Sequence, residues 1–452
     1  MHLLQLSTGQ RHPDAPNPSV LTHCTGASNL SFTIQITQQH LGVLFTSHRR
    51  EVDTQMLVWH WRTGQVELVS IQDRIYLALI HVPQSVAGKQ LGSFSFLDDR
   101  CVLLGVVYDP DDEAQIQQTE PALLVVDFVS AQNDPTNILD LEYECALDFP
   151  LMLPWARALA ISVRSDPSPS WSPNPDLKVP FYTARYDRLF VITFWVVDRD
   201  DMNILLLFVP SSTILSKLRS LPSDDRGKRF VWEQWGPDGT HLRIAPRGHS
   251  LVWVCYVFGM SFVAPYKPSL HVVQDDLGRP LFKMIQIFDF NQVAIKQIQA
   301  GGATHERQET AIITQPSLVT LSKIFFHRIE TRLPYRLKTT HIPNQFNSAM
   351  LSEDAIVTVS DVSYENQLSR LQLANTWPFP ARSCPEVPYP VFLTYFDVIE
   401  VNVPAAVCRH TLTGCVHLTN SFSSDRTSES KNITRSAGAL QDLSHKNARH
   451  VC

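Results

Sequence analysis

The 452 residues are 44% hydrophobic and 18% charged, against roughly 25% charged in ordinary soluble domains, so the chain can bury a large core and is not of an unfolded composition. A net charge of -6 is slight for this size and gives no field that would draw the chain to nucleic acid or to anionic lipid. Length alone allows two or three average domains or one large all-β unit.

Residues 1–20, "MHLLQLSTGQRHPDAPNPSV", have no basic n-region and only scattered apolar positions, unlike a signal peptide. From about residue 30 to about residue 360, short runs rich in Val, Ile, Leu, Phe and Trp recur between Asp, Gly, Pro and Asn, the pattern of many short strands joined by turns. They include "SFTIQI" (31–36), "HLGVLFT" (40–46), "LGSFSFL" (91–97), "CVLLGVV" (101–107), "PALLVVDF" (121–128), "RLFVITFWVV" (188–197), "NILLLFV" (203–209) and "LFKMIQIFDF" (281–290). "MLVWHWRTGQVELVSI" (56–71) reads as a strand ending in Trp59 and Trp61, a Thr63-Gly64 turn and a second, alternating strand. The one helical pattern is "SSTILSKLRSL" (211–221), with Ser211 or Ser212 as cap, Ile214, Leu215, Leu218 and Leu221 on one face, and Pro222 after its end. The longest apolar stretches, "ILLLFVP" from Ile204 and "LVWVCYVFGM" from Leu251, fall short of the ~20 residues a membrane helix needs.

Four segments, "VWHWRTGQ", "VVDFVSAQ", "VVDRDDMN" and "IFDFNQVA", run from an apolar strand through an aromatic, acidic or His step into a turn or another strand. Taken as equivalent they align His60, Asp127, Asp198 and Asp289, at unequal spacings that call for either intervening blades without the signature or inserted loops. The expected fold is all-β and β-propeller-like, degenerate and with inserted loops, with a β-sandwich pair as the alternative. Trp59 and Trp61 would then pack against the neighbouring blade. Insertions are expected at "DPDDEAQIQQTE" (109–120) and at "SDPSPSWSPNPDLKVP" (165–180), whose prolines cannot join a sheet interior. "WEQWGPDGTHLR" (232–243) is expected to be a strand anchored by its tryptophans, with a turn at Gly236-Pro237-Asp238-Gly239. From about Ala374 prolines cluster in "TWPFPARSCPEVPYP", and 420–449 are dominated by Ser, Asn, Thr, Arg and Lys. Residues 366–452 are therefore expected to be a disordered, Pro/Ser-rich tail, or not natural coding sequence.

No catalytic motif emerges. "GHSLV" (248–252) has Val252 where a nucleophile elbow needs its second glycine, and neither G-x-x-x-x-G-K nor G-x-G-x-x-G occurs. "HERQE" (305–309) lacks the second His of a zinc-binding helix. "CRHTLTGCVH" brings Cys408, His410, Cys415 and His417 close in sequence, but each pair is separated by one residue, not the two to four usual for structural zinc, so no metal and no cofactor is expected. The eight cysteines (Cys24, Cys101, Cys145, Cys255, Cys384, Cys408, Cys415 and Cys452) are scattered, several inside apolar runs, as small buried hydrophobes are. Sequons at Asn29 and Asn432 have no meaning without secretion. The acid groups Asp98-Asp99, Asp198 with Asp200-Asp201, and Asp275-Asp276 flank strands, where Asp commonly forms turns. "SHRR" (47–50) and "RGKR" (226–229) lack the interleaved aromatics of a nucleic-acid site.

"LVWHWRTGQ", "FSFLDDRCVLL", "ALLVVDF", "LLLFVPSSTIL", "WEQWGPDGTHLR", "LVWVCYVFGMSFV", "IFDFN", "TRLPYR" (331–336) and "MLSEDAIV" (350–357), in that order, resemble the large families of F-box proteins of mushroom-forming fungi. The resemblance spans roughly residues 35–365 and falls on the region that follows the F-box. It implies a β-rich, propeller-like, WD-repeat-like domain that binds the target of a ubiquitin ligase. In the family the F-box docks on a cullin-RING ligase through a small adaptor. Nothing between Met1 and Leu30 has the apolar periodicity of F-box helices, so the F-box is expected to be absent or truncated, and adaptor docking would need one upstream. The resemblance brings no catalytic residues.

These readings divide the chain into an N-terminal segment (1–30), a β-propeller-like domain (31–365) and a tail (366–452). The leading expectation is a non-enzymatic protein-binding module, cytoplasmic or nuclear and not secreted, with an unknown protein target, no nucleic acid and no membrane. Two alternatives stand beside it. One is a propeller-type hydrolase or lyase whose carboxylates, such as Asp98 or Asp275, line a channel. The other is a truncated, non-functional gene product without a stable fold.

Overall fold

A strand buried on one face alternates apolar and polar side chains, whereas a strand buried on both reads as a continuous apolar run. "CVLLGVVY", "ALLVVD" and "LFVITFWVVD" are of the second kind and call for sheets covered on both faces. The computed structural model describes residues 3–5, 8–15, 21, 30–47, 54–72, 89–108, 121–130, 136–137, 141–169, 171–172, 187–198, 201–222, 225–245, 256–266, 281–300, 310–346, 348–352, 355–361, 369–374, 392–393 and 416–418. All of these belong to one unit, Met1–Thr419, and the continuous runs are interior strands of stacked sheets.

Sheet one is the antiparallel meander of β1 (Leu30–Ile36), β2 (His40–Ser47), β3 (Thr54–His60) and β4 (Gln65–Gln72). Sheet two follows with β5 (Lys89–Phe96), β6 (Cys101–Tyr108) and β7 (Ala122–Asp127). Short β8 (Thr136–Asn137) joins β4 in parallel before β9 (Cys145–Asp148) completes the second meander. Sheet three takes β10 (Ala156–Arg164), β11 (Leu189–Asp198) and β12 (Asp201–Pro210). Helix α1 (Ser211–Arg219), β13 (Lys228–Phe230, parallel to β9) and helix α2 (Trp232–Gly239) intervene before its fourth strand, β14 (His241–Ile244). Sheet four contains β15 (Val257–Phe258), β16 (Ser261–Tyr266) and β17 (Phe282–Asp289). After helix α3 (Gln292–Gln299) come β18 (Thr310–Ile313), the hairpin β19 (Ser317–Val319) and β20 (Ile329–Thr331), and β21 (Tyr335–Phe346), which pairs with both β17 and β18. Sheet five has β22 (Ser348–Leu351), β23 (Ile356–Asp361), β24 (Ser369–Ala374) and β25 (Phe392–Leu393), and so runs past the 365 boundary drawn from composition. A last strand, β26 (Val416–Leu418), pairs antiparallel with β1.

Each sheet packs on the next in chain order. In β6, Val102, Leu104 and Val106 face the core shared with Met56 and Val58 of sheet one, while Leu103 and Val107 face the core shared with Ile161 and Val163 of sheet three. In β12, Leu205, Leu207 and Val209 face sheet two, and Leu206 and Phe208 meet Phe262 and Phe288 of sheet four. Phe282, Ile342 and Phe346 share their core with Ala349, Leu351 and Ile356 of sheet five. The sheets come close enough to need glycine: a Cβ on Gly42 would lie 2.6 Å from the Phe94 ring, and one on Gly92 2.9 Å from the Ile161 carbonyl oxygen. Sheets of four to six strands, antiparallel but for the short β8 and β13, stacked successively form an all-β, propeller-like fold and not a pair of two-sheet sandwiches.

One excursion crosses this order. Between α3 and β21 the chain passes from sheet four along the outer strand of sheet three, where Ser317 Oγ donates to the Leu242 carbonyl at 2.7 Å and Leu242 N donates to Thr331 Oγ1 at 2.9 Å. It then reaches the link between sheets two and three, where Phe325 forms an antiparallel bridge with Met152. Val319, Ile324, Phe325 and Ile329 enter the core between those two sheets, so the excursion acts as a strap.

Four sequence expectations are corrected. Helix α1 forms where expected, but neither serine caps it: Pro210 is the N-cap, and Ser211 Oγ accepts from Arg188 N at 3.1 Å. Residues 232–239 form helix α2, not a strand and turn, because Trp232 and Trp235, three apart, both enter the core from one helix face. "NQVAIKQIQ" is helical from Gln292, with Asn291 Oδ1 accepting from Ala294 N at 3.1 Å as an N-cap. Trp59 and Trp61 pack not on the neighbouring sheet but on the opposite face of sheet one, with Leu41, Val43, Leu57, Leu3 and Leu21.

The four-segment echo has a backbone meaning, with one member replaced. The residue following the third strand donates its N–H to a carbonyl in the connection between the first two strands: Trp61 to Gln39 at 2.9 Å, Phe128 to Arg100 at 3.1 Å, and Phe290 to Met260 at 2.9 Å. In sheet three the equivalent bond runs from Ser211 to Arg188 at 2.7 Å, after β12. Asp198 lies instead in the β11–β12 hairpin at the other end of the sheet, opposite Asp201.

Candidate functional site

Three of the acids raised by the sequence, Asp98, Asp127 and Asp289, serve local structure. Asp98 Oδ1 accepts from Arg100 N at 2.8 Å and Cys101 N at 2.6 Å, closing the turn into β6. Asp127 Oδ1 accepts from Val129 N and Ser130 N, each at 3.1 Å, and its Oδ2 accepts from Arg100 Nε at 2.6 Å. Burial pushes the Asp127 carboxyl up, but hydrogen bonds from Arg100 and Ser130 outweigh it and hold the group below the usual range. Asp289 accepts from Asn291 N at 2.9 Å and pairs with Arg336. Burial pushes both Cys101 and Cys145 thiols up, Cys145 to about 12, so neither is a nucleophile at neutral pH. Asp275, Asp276, Cys408, His410, Cys415, Cys24, Asn29, Asn432 and the 109–120 segment lie outside the described residues; His417 falls on β26, opposite Thr33. Among the described residues no group of His, Cys, Asp and Glu is arranged to hold a metal ion, and no helix is long and apolar enough to cross a membrane.

A buried charge centre sits where the first four sheets approach one another. Arg188, fully buried, donates to the carbonyls of Phe96 at 2.8 Å, Leu97 at 2.7 Å and Pro167 at 3.1 Å. Gln35 of sheet one brackets the same strand of sheet two, donating to the Phe94 carbonyl and accepting from Phe96 N, both at 3.1 Å. The Asp166 carbonyl accepts from Gly259 N at 2.7 Å, and Leu189 N donates to the Gly259 carbonyl at 2.8 Å, which ties in sheet four. Burial lifts the Asp166 carboxyl to about 7 against the pull of Arg164 and Arg188, and lowers Arg188 to about 10. Gln35, Phe96, Asp166 and Arg188 line a gap with room for about one water molecule, so the centre is a structural joint with no space for a substrate.

The surface offers something different. Leu151, Trp155 and Phe326 are 52%, 46% and 47% exposed, on two segments far apart in sequence. Met152 and Phe325, bridged to each other, turn inward and are buried. Their neighbours Leu151 and Phe326 therefore face one another on the outer side, where Phe326 N donates to the Leu151 carbonyl at 3.2 Å. Leu153 N donates to the Ile324 carbonyl at 2.7 Å, and Trp155 Nε1 to the Lys323 carbonyl at 3.1 Å. The indole is thus fixed at the surface with its polar atom satisfied by the strap.

The two segments that form this surface are themselves free of acids. Neither 149–164 nor 310–329 contains an Asp or Glu, while Lys323, His327 and Arg328 are exposed beside Phe326. The nearest acids along the chain, Asp148 and Glu330, pair with Arg229 and Arg332. Sequence reasoning did not single out these residues; the available signal was a pair of apolar, acid-free runs, "FPLMLPWARAL" and "SKIFFHRI".

No protein-family model and no curated protein matches the chain. Among solved structures it is similar to the β-propeller domain of the Trilobed protease from Pyrococcus furiosus, described as having an open velcro topology. The likeness is 7% in identity with a TM-score of 0.26, over 77% of this chain and 84% of that one. The fold assignment rests on the sheet order and stacking of the chain itself.

Proposed function

We propose that the chain is a non-catalytic protein-binding module whose propeller-like scaffold presents Leu151, Trp155 and Phe326 to a protein partner. The carrying observation is that composite surface: two aliphatic and aromatic segments, fixed to each other by hydrogen bonds and left half open to solvent. Exposed, rigid aromatic groups of this kind anchor protein interfaces. The use of Asp98, Asp127 and Asp289 in turns and arginine pairs supports binding over acid–base chemistry. The resemblance to F-box proteins extends the reading to the target-binding part of a ubiquitin-ligase receptor, acting in the cytoplasm or nucleus.

The test compares the full chain with a Leu151→Ser/Trp155→Ser/Phe326→Ser variant of matched thermal stability. Proteins co-purifying from source cells are quantified, and the leading one is purified and titrated directly. The expected result is direct binding weakened about tenfold or more in the variant. Equal binding by both proteins would contradict the surface assignment. For the receptor role, mapping the 5′ end of the native message is expected to find an upstream, Leu-Pro-led helical segment, and its absence would remove that role.

A further inference from the structure

We infer that the occupant of this surface is an acidic, apolar-rich linear segment of a partner protein, an inference that rests on the binding reading above. Charge complementarity carries it. The chain as a whole is slightly acidic, at -6. The strap reverses that locally: Lys323 precedes Phe326 by three positions, His327 and Arg328 follow it directly, and no acid occurs from Thr310 to Ile329. On the other segment Arg157 lies two positions after Trp155, and no acid occurs from Phe149 to Arg164. Exposed Lys323 and Arg328 on the strap, and half-buried Arg157 on the other segment, therefore flank the apolar trio in sequence. A ligand matching this pattern places one or two large apolar side chains against Leu151, Trp155 and Phe326 and carboxylates toward Lys323 and Arg328. Three anchors suit a short extended segment, since a standard globular interface needs roughly 20–30 residues a side. The apolar contacts supply affinity, and the cations supply steering and choice of partner.

The experiment pans displayed random short peptides against the immobilised full chain and titrates the enriched sequences as synthetic peptides. Three proteins are compared: wild type, Trp155→Ser/Phe326→Ser, and Lys323→Glu/Arg328→Glu, with Lys323→Arg/Arg328→Lys as the conservative control. The inference expects peptides that combine Asp or Glu with Leu, Phe or Trp. Their binding should be lost in the apolar variant, weakened about tenfold in the charge-reversed variant, retained in the control, and weakened by added salt. Enriched peptides that need Trp155 and Phe326 but lack an acidic excess, or ignore charge reversal, would overturn the inference and leave the binding reading standing. Peptides that bind all the variants alike would overturn both. Concentration-dependent dimerisation of the wild type, abolished in the apolar variant, would make a second copy of this chain the occupant and also overturn the inference.

Discussion

Trp61 donates its indole N–H to the Thr37 carbonyl at 3.2 Å and meets the His12 ring edge-on, while Trp59 lies beneath the same face of sheet one. Both are nearly fully buried, so Trp59→Ala or Trp61→Ala is expected to cost about 3–5 kcal/mol in urea unfolding. A loss below about 1 kcal/mol would place the rings in solvent. Their burial was legible from the apolar alternation of "LVWHW"; their partners were not, because Leu3 and Leu21 come from a segment without strand pattern. Arg188 was illegible for a similar reason: its acceptors are main-chain carbonyls, which leave no mark on side-chain identity. Arg188→Met would leave those carbonyls unpaired and Asp166 with Arg164 as its remaining cation, an expected loss of about 3–5 kcal/mol. Equilibrium unfolding of this variant at neutral pH checks the figure.

Strands were the most legible elements, because burial on both faces writes itself as continuous Val, Leu, Ile and Phe. Helices α2 and α3 were not legible as helices: Gly236-Pro237 reads as a turn, and eight-residue segments are too short for periodicity to stand out. Close packing of elements was also invisible in the sequence, since Gly92 looks like any glycine in a strand. Gly92→Ala is expected to destabilise by about 1–3 kcal/mol, because the added carbon meets the Ile161 backbone, which cannot rotate away. Gly9, with open space around its Cβ position but φ of +66°, provides a comparison in which backbone strain alone acts. For the strap, Phe325→Ala removes a buried ring from the core between sheets two and three. Limited proteolysis is expected to show new cleavage within 310–331 before the sheets unfold; an unchanged digestion pattern would mean that the strap does not depend on this ring.

At the scale of the molecule, acid response follows from groups distributed over several sheets. Burial holds His40 at about 4, with His60 adding to the effect, and holds His241 at about 3, with Arg243 adding to it. Unfolded, both titrate near ~6.5, so below that pH the unfolded chain binds more protons and stability falls as pH drops. Asp166 opposes them: its raised pKa makes the folded chain hold the extra proton between ~4 and ~7, so its contribution falls as pH rises. Two histidines against one carboxyl leave about one net proton taken up on unfolding near pH ~5.5, a slope of about 1.4 kcal/mol per pH unit. Urea midpoints across this range are expected to fall more steeply with acid in Asp166→Asn and to reverse their trend in His40→Gln/His241→Gln. The all-β, serially repeated architecture was legible from strand runs and their turns. The binding surface was not, because Trp155 and Lys323 are separated by 168 positions and meet only through the strap. That meeting is the central structural claim, and a Leu151→Cys/Phe326→Cys protein tests it most directly. Opposed residues of an antiparallel bridge lie within disulfide reach, so mild oxidation is expected to form an intramolecular 151–326 disulfide, identified by peptide mapping, in a chain that unfolds no earlier than wild type. Free thiols at both positions, or a bond formed only between molecules, would show that the strap does not lie on the link between sheets two and three and that the composite surface does not exist.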